Sequence, residues 1–296
     1  MKLVLTLIAA PNSNALTKAV IDQAAIALTG AGALVGDVVW LADGEACDLG
    51  FDGIPLDVAD TTLAEAELPV DAVTQKSATR RKKLLIADMD STIVTGETLD
   101  ELAEFAGVKE RVAAITARAM NGELDFEAAL DERVGLLQGM SSEMLKEAWK
   151  TVEYTGGARE LVATMKANGA FAALVSGGFD FFTGAVRAEL GFDYDQANVL
   201  IEDGGKLTGK VQKPVLDRQA KVDALEILSD KQGITVGDAI AVGDGANDIQ
   251  MISLAGTGVA FHAKPSVQEQ ARICINHGDL TALLYLQGYA KADFVS

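Results

Sequence analysis

The sequence predicts an α/β fold: a doubly wound parallel sheet carrying an inserted helical cap, preceded by a small α+β unit. Three observations lead there. From residue 84 onward, short and wholly apolar runs at 84–87, 171–175, 239–242 and 259–261 alternate with amphipathic helical patterns at 159–167, 181–190 and 218–228. Strands that are apolar on both faces belong to a parallel sheet covered on both sides. Between the first and second of these runs, residues 97–155 hold helical patterns at 98–106, 109–120, 126–137 and 143–152, and no strand signal. That is too much chain for one crossover; a helical cap that closes over the strand ends and excludes water accounts for it. Residues 1–78, finally, differ in composition, with three Lys, no Arg and eleven Asp or Glu before Arg80.

The first ten residues are apolar apart from one lysine and a threonine, in the manner of a secretory leader, but they run directly into Pro11-Asn12-Ser13-Asn14. A first strand over 2–9 accounts for them better. A helix over 15–29, a strand over 34–41, and further strand and helix to about residue 68 complete the small unit. Domains are therefore expected at 1–78 and 79–296. The run Arg80-Arg81-Lys82-Lys83 reads as a solvated lead-in to the strand at 84–87. No apolar run approaches the ~20 residues of a membrane span, so a soluble, cytoplasmic protein with no membrane partner is expected. Trp40 and Trp149 read as packing residues, Met140 and Met144 as core, and His262 as structural.

The formal net charge of −18 argues against a nucleic-acid partner. A small phosphorylated substrate stays compatible with it, provided that its site is locally positive through a metal, a Lys or Arg, or helix N-termini. Cys47 and Cys274 are the only cysteines and His262 and His277 the only histidines. A disulfide framework, a histidine-rich metal cluster and a thiol-based phosphatase are all disfavoured, so the chemistry is expected to run on carboxylates.

Three clusters supply them. Asp88-Met89-Asp90-Ser91-Thr92 directly follows the run at 84–87. Residues i and i+2 of an extended segment point the same way, so both carboxylates converge beyond the strand end. Two carboxylates ~4 Å apart repel by about 4 kcal/mol at an effective dielectric of ~20, a cost that a divalent cation removes. Gly243-Asp244-Gly245-Ala246-Asn247-Asp248 follows 239–242 and precedes a helix. Its glycines admit a ligand to the backbone, and Asp244 and Asp248 offer hard oxygens suited to magnesium; a turn capped by Asn247 or Asp248 is the plainer alternative. Ser176-Gly177-Gly178 leads from the strand at 171–175 into a helix near Phe179, with a hydroxyl and backbone N–H groups that suit a phosphate. Lys221 by itself reads as a solvated lysine of the helix at 218–228.

In this order and at strand ends, the clusters with Lys221 resemble the haloacid-dehalogenase (HAD) superfamily, whose core is a Rossmann-like sheet. Residues 84–290 resemble the phosphoserine phosphatases within it. The likeness extends into the cap, where Val94-Thr95-Gly96-Glu97-Thr98-Leu99-Asp100-Glu101, Leu124-Asp125-Phe126 and Asp131-Glu132-Arg133-Val134 are similar to that family's segments. The resemblance implies Mg2+-dependent hydrolysis of phosphoserine through an aspartyl-phosphate, the last step of serine biosynthesis. It implies Asp88 as nucleophile and Asp90 as general acid/base. Asp88, Asp90 (through its backbone carbonyl) and Asp244 match the metal site, with Asp248 in support. Ser176 and Lys221 match the phosphate contacts, and Gly177 and Asn247 line the substrate site. Glu97 and Arg133 match the residues that read the amino acid, although on their own they read as a helix cap and a surface charge.

The block at 1–78 looks like a degenerate ACT-type domain. Its expected role is packing or dimerisation, giving a homodimer, or else sensing an amino acid. Two other functions stay open at this point: a HAD phosphatase for another small phosphorylated metabolite, and a regulatory amino-acid-binding protein.

Overall fold

The apolar alternation at the start of the chain builds an antiparallel sheet. In the computed structural model, which describes residues 1–120 and 123–296, the first elements are β1 (Leu3–Ile8), α1 (Lys18–Gly30), β2 (Leu34–Ala42), β3 (Ala46–Asp52), α2 (Leu56–Glu65) and β4 (Asp71–Lys76). The sheet order is β2-β3-β1-β4, with β1 antiparallel to both of its neighbours. The residues that resemble a leader are thus an interior strand of the sheet. Thr17 starts α1 later than expected, its Oγ1 accepting from the Val20 N–H at 3.4 Å. Both helices cover one face of the sheet, where Val20, Ile21, Leu28 and Leu63 bury against Leu5, Leu7, Leu49 and Phe51.

The second unit opens with β5 (Leu84–Ala87), followed by the cap helices α3 (Thr98–Phe105), α4 (Lys109–Met120), α5 (Phe126–Gly135) and α6 (Glu143–Trp149). The chain leaves for the cap and returns side by side, with Val94 and Tyr154 in an isolated antiparallel bridge. Then come α7 (Ala158–Ala167), β6 (Phe171–Phe179), α8 (Asp180–Leu190), β7 (Tyr194–Asn198), a hairpin of β8 (Leu200–Asp203) and β9 (Lys206–Val211), and α9 (Arg218–Lys231). Last are β10 (Ala239–Gly243), α10 (Ile249–Leu254), β11 (Thr257–Phe261), α11 (Pro265–Gln268), β12 (Ile273–Ile275) and α12 (Ala282–Leu286). Six strands make one parallel sheet in the order β12-β11-β10-β5-β6-β7. The four apolar runs are four adjacent strands of it, and β5 lies between β10 and β6, so three of the sequence clusters meet beyond neighbouring carboxyl ends.

The β8–β9 hairpin is a second excursion absent from the sequence expectation. It docks on the cap: Gly139 N–H donates to Leu207 O at 2.8 Å, Leu207 N–H to Met140 O at 2.9 Å, and Ser142 N–H to Gly205 O at 3.0 Å. Lys213 adds ion pairs of 2.7 Å to Glu127 and 2.9 Å to Asp131 on α5.

The basic run corrects an expectation. Far from being uniformly solvated, it ties Arg80 to the first unit and packs Arg81 and Lys82 against the second. Arg80 pairs with the buried Asp48 at 2.6 Å, the Arg81 guanidinium lies 3.4 Å from the Tyr289 ring centroid, and the buried Lys82 donates to Gly237 O at 2.8 Å. Lys83, 3.7 Å from Asp238, and Arg81 stay exposed. Asp71 on β4 accepts from the backbone N–H groups of Asn276, His277 and Gly278 at 2.7 to 3.0 Å, and Glu45 accepts from Tyr285 at 2.8 Å and Lys291 at 2.6 Å. Ile8, Leu41, Ala46 and Val73 join the core of the parallel-sheet unit. Trp40 is a second correction: on edge strand β2 it is 44% exposed, whereas Trp149 packs edge-on to Tyr154. Met140 packs against the core, and Met144 is half-buried. Among the described residues no helix is long and apolar enough to cross a membrane.

Candidate active site

Asp88 stands where β5 stops. Its N–H donates to Val242 O at 3.0 Å, which continues the pairing with β10 one residue past the strand. The chain then turns sharply: Ser91 has φ +54°, and Val94 N–H bonds back to Met89 O at 3.0 Å. Met89 and Ile93 are buried, anchoring the turn and leaving Asp88 and Asp90 at its mouth. Asp88 Oδ1 accepts from Met89 N–H at 2.8 Å and from Lys221 Nζ at 2.7 Å. Among the described residues its Oδ2 has no hydrogen-bond partner.

Lys221, in the first turn of α9, corrects the expectation of a solvated lysine. It is 2% exposed and sits between Asp88 and Asp248, 2.6 Å from Asp248 Oδ1. The other Asp248 oxygen accepts from Gly245 N–H at 3.0 Å. Asp248 thus holds Lys221 and closes the loop after β10, and its side chain makes no capping bond to α10. A Cβ at Gly243 would lie 2.3 Å from Asp248 Cγ, so only glycine permits this closure. Oxygens of Asp88, Asp244 and Asp248 all lie within 4.8 Å of one another.

From β6, Ser176 Oγ accepts from Gly178 N–H at 2.8 Å and reaches Asp90 Oδ2 at 3.4 Å. A Cβ at Gly178 would come within 2.8 Å of Asp90 Oδ2, which accounts for the second glycine. Asp90 Oδ1 accepts from Thr98 N–H at 2.9 Å, linking the site to the start of the cap. Glu97 Oε1 accepts from Ser91 Oγ at 3.0 Å, and Glu97 makes no capping bond to α3. Arg133 is half-buried, with Nε donating to Ala129 O at 3.1 Å, and is not a free surface charge.

Every site residue expected from sequence except Lys221 and Asp248 lines one cavity of about 240 Å³ between cap and sheet, and those two lie directly behind Asp88. Asp88, Asp90, Ser176, Gly177, Asp244 and Asn247 form the sheet side, and Glu97 and Arg133 the cap side. Five further lining residues had been given no role from sequence: Leu99, Phe126, Leu130, Phe179 and Lys264. Lys264 had a detectable signal, since it lies three residues past the end of β11. Its neighbour His262 instead bonds to Gly278 O at 2.8 Å, outside the cavity wall. A larger cavity of about 330 Å³ separates α2 and β4 from β12. Its one arginine, Arg272, is engaged by Asp60 and Thr74, and Asp71 by backbone N–H groups, whereas the converging carboxylates and Lys221 gather at the smaller one.

The electrostatics are those of a cation site. Burial, then Asp248, pushes the Asp88 carboxyl well above its ordinary pKa, against the pull of Lys221. Burial and Glu97 push Asp90 up to about 6, against the Thr98 N–H. Burial, Asp248 and Glu97 push Asp244 up to about 6. Burial works against the Lys221 charge, but Asp88 and Asp248 outweigh it and hold the ammonium above its usual range. Burial lowers Arg133, opposed by Asp100 and Glu97. One buried lysine cannot balance three converging carboxylates, so the hard oxygens of Asp88 and Asp244 fit a divalent metal.

Comparison with known proteins agrees with this arrangement. Residues 85–253 match the haloacid dehalogenase-like hydrolase family. The chain is 46% identical over 205 residues to the phosphoserine phosphatase of Methanocaldococcus jannaschii, a match covering 69% of this chain and 97% of that one. Matches to three further phosphoserine phosphatases span only 62%, 64% and 65% of their lengths. Among solved structures, a phospho-aspartyl intermediate analogue of phosphoserine phosphatase is 46% identical, with a TM-score of 0.65 over 69% of this chain and 98% of that one. The unliganded probable phosphoserine phosphatase from Vibrio cholerae, 33% identical, has a TM-score of 0.78 over 99% of this chain and 88% of that one. With the cluster beyond β5, β6 and β10 and these likenesses together, the chain belongs to the haloacid dehalogenase-like hydrolases and, within them, to the phosphoserine phosphatase family.

Proposed function

We propose that this enzyme hydrolyses O-phospho-L-serine to L-serine and phosphate through an aspartyl-phosphate at Asp88, with magnesium as cofactor, as the last step of serine biosynthesis in the cytoplasm. One observation carries the chemistry: Asp88, with one oxygen held by Lys221 and Met89 N–H and the other without a hydrogen-bond partner among the described residues, lines a cavity shared with Asp90.

Oδ2 of Asp88 attacks phosphorus, and the bond from phosphorus to the serine oxygen breaks as Asp90 delivers a proton to that oxygen. A carboxyl whose pKa is lifted to about 6 is suited to giving and then regaining that proton. In the second half Asp90 takes a proton from water, which attacks phosphorus and frees Asp88. Lys221, Ser176 and the N–H groups after Gly177 bear on the charge of the transferring phosphoryl group. Asp88, Asp244 and the backbone carbonyl of Asp90, with Asp248 behind them, would hold magnesium, which when bound would supply positive charge against the phosphate oxygens.

The cap reads the amino acid. Arg133 meets the substrate carboxylate and Glu97 its ammonium, while Phe126 and Leu130 keep water out. A phosphate-release screen over small phosphorylated metabolites, with and without magnesium, tests the assignment. Phosphoserine is expected to lead the screen, and chelation to abolish turnover until magnesium is restored. Preference for another metabolite, or full activity in chelator, would overturn it. Arg133→Ala is expected to lower kcat/KM for phosphoserine by about 10- to 100-fold, the size of a lost charge-assisted contact. An unchanged kcat/KM would remove Arg133 from substrate recognition.

A further inference from the structure

We infer that Asn198 is a positioning residue for the phosphate, fixing the Ser176–Gly178 turn and the helix of Lys221 in one register. This inference rests on the phosphatase activity proposed above. Asn198 ends β7, is 2% exposed and uses its whole amide. Nδ2 donates to Gly177 O at 2.9 Å and to Leu216 O at 3.3 Å, and Oδ1 accepts from Leu216 N–H at 2.8 Å. Two carbonyls on one end and an N–H on the other fix the amide orientation, and only a side chain with both donor and acceptor satisfies all three.

Each contact reaches a phosphate-handling group. Gly177 O belongs to the peptide whose other edge is Gly178 N–H, and a trans peptide points these in opposite directions. Holding the carbonyl outward on Asn198 therefore aims the N–H inward, where it meets Ser176 Oγ at 2.8 Å beside Asp90. Leu216 precedes Asp217, the N-cap of α9, whose carboxylate accepts from Gln219 N–H at 2.8 Å. Lys221 lies in the first turn of that helix, so fixing Leu216 fixes the entry of the lysine that holds Asp88. The intervening residues 199–215 include the β8–β9 hairpin docked on the cap. Asn198 closes the base of that excursion, bridging Gly177 and Leu216 directly across it.

The test is Asn198→Asp, which keeps the volume and the acceptor but removes both donors, beside Asn198→Ala. Turnover of phosphoserine and of p-nitrophenyl phosphate, inhibition by orthovanadate as a phosphate mimic, and the melting temperature are measured on the full chain. Well below melting, both variants are expected to lose about 10- to 100-fold in kcat, the scale of a small misplacement of reacting groups. Orthovanadate inhibition is expected to weaken in parallel. A role in stability alone would lower the melting temperature and leave kcat and orthovanadate inhibition within twofold of wild type. That result, or failure of both variants to fold, would overturn the proposal. If the wild-type chain ignores phosphoserine, the substrate assignment fails, and the variant-to-wild-type ratio on p-nitrophenyl phosphate still decides the role of Asn198.

Discussion

Asp88→Asn is expected to lower kcat for phosphoserine by about 10⁴-fold or more, the scale seen when a nucleophile is removed from a covalent mechanism. An amide oxygen is a poor nucleophile toward phosphorus and forms no acyl phosphate that water could resolve. The fold should tolerate the change. Asn keeps an oxygen to accept from Met89 N–H and Lys221, and burial already works against charge at this position. The melting temperature is expected to stay level or rise, since one of three crowded carboxylates becomes neutral. Steady-state kinetics with a thermal melt on the same sample checks both halves. Residual turnover above about one per cent of wild type would be far too fast for a chain lacking its nucleophile.

Lys221→Met carries the second large effect, on two observables at once. The lysine is the only cation within ion-pair distance of the buried Asp88 and Asp248 among the described residues. Removing one partner of a buried charge cluster costs about 3–5 kcal/mol of stability, measurable as a shift of the urea midpoint. Activity is expected to fall by about 10²–10³-fold, the loss typical of a deleted donor to developing charge. Adding Asp248→Asn is expected to recover most of the stability and none of the activity, because the pair is structural but the charge on phosphate is not replaced. A single mutant as stable as wild type would mean that the lysine does not hold the cluster.

Much of the fold was legible because strands buried on both faces must be apolar along their whole length. The runs at 84–87 and 239–242 therefore announced β5 and β10 within one residue. β12, Ile-Cys-Ile, escaped notice because three residues are too short a run, and other strands because their polar residues find tertiary partners. β7 reads Tyr-Asp-Gln-Ala-Asn, and Asp195 is satisfied by Thr183 at 2.8 Å and Arg187 at 3.1 Å. β4 is similar, with Asp71 buried against the 276–278 backbone and Gln75 bonded to Leu286 O at 2.9 Å. The hairpin at 200–211 offered a Gly204-Gly205 turn with φ +57° and +76°, but its strands lack apolar alternation because the cap supplies their partners.

The site divides in the same way. Asp88, Asp90, Asp244 and Ser176 stand at strand ends, which a linear pattern reveals. Lys221 and the basic run at 80–83 looked solvated because a charged side chain on a helix or before a strand usually is. Only the fold brings Asp88 and Asp248 to Lys221, and Asp48 to Arg80. Asn198 had no local signal at all, since each of its partners lies 18 or more residues away in the chain.

The central claim is that the carboxylate of Asp88 takes the phosphoryl group. Acid-quenched enzyme, caught during turnover of phosphoserine with magnesium, is reduced with borohydride, which converts an aspartyl phosphate to homoserine, and its peptides are read by mass spectrometry. Homoserine at position 88, absent without substrate and absent in Asp88→Asn, is the predicted result. Reduction at any other carboxylate, or full turnover with position 88 never modified, would contradict it.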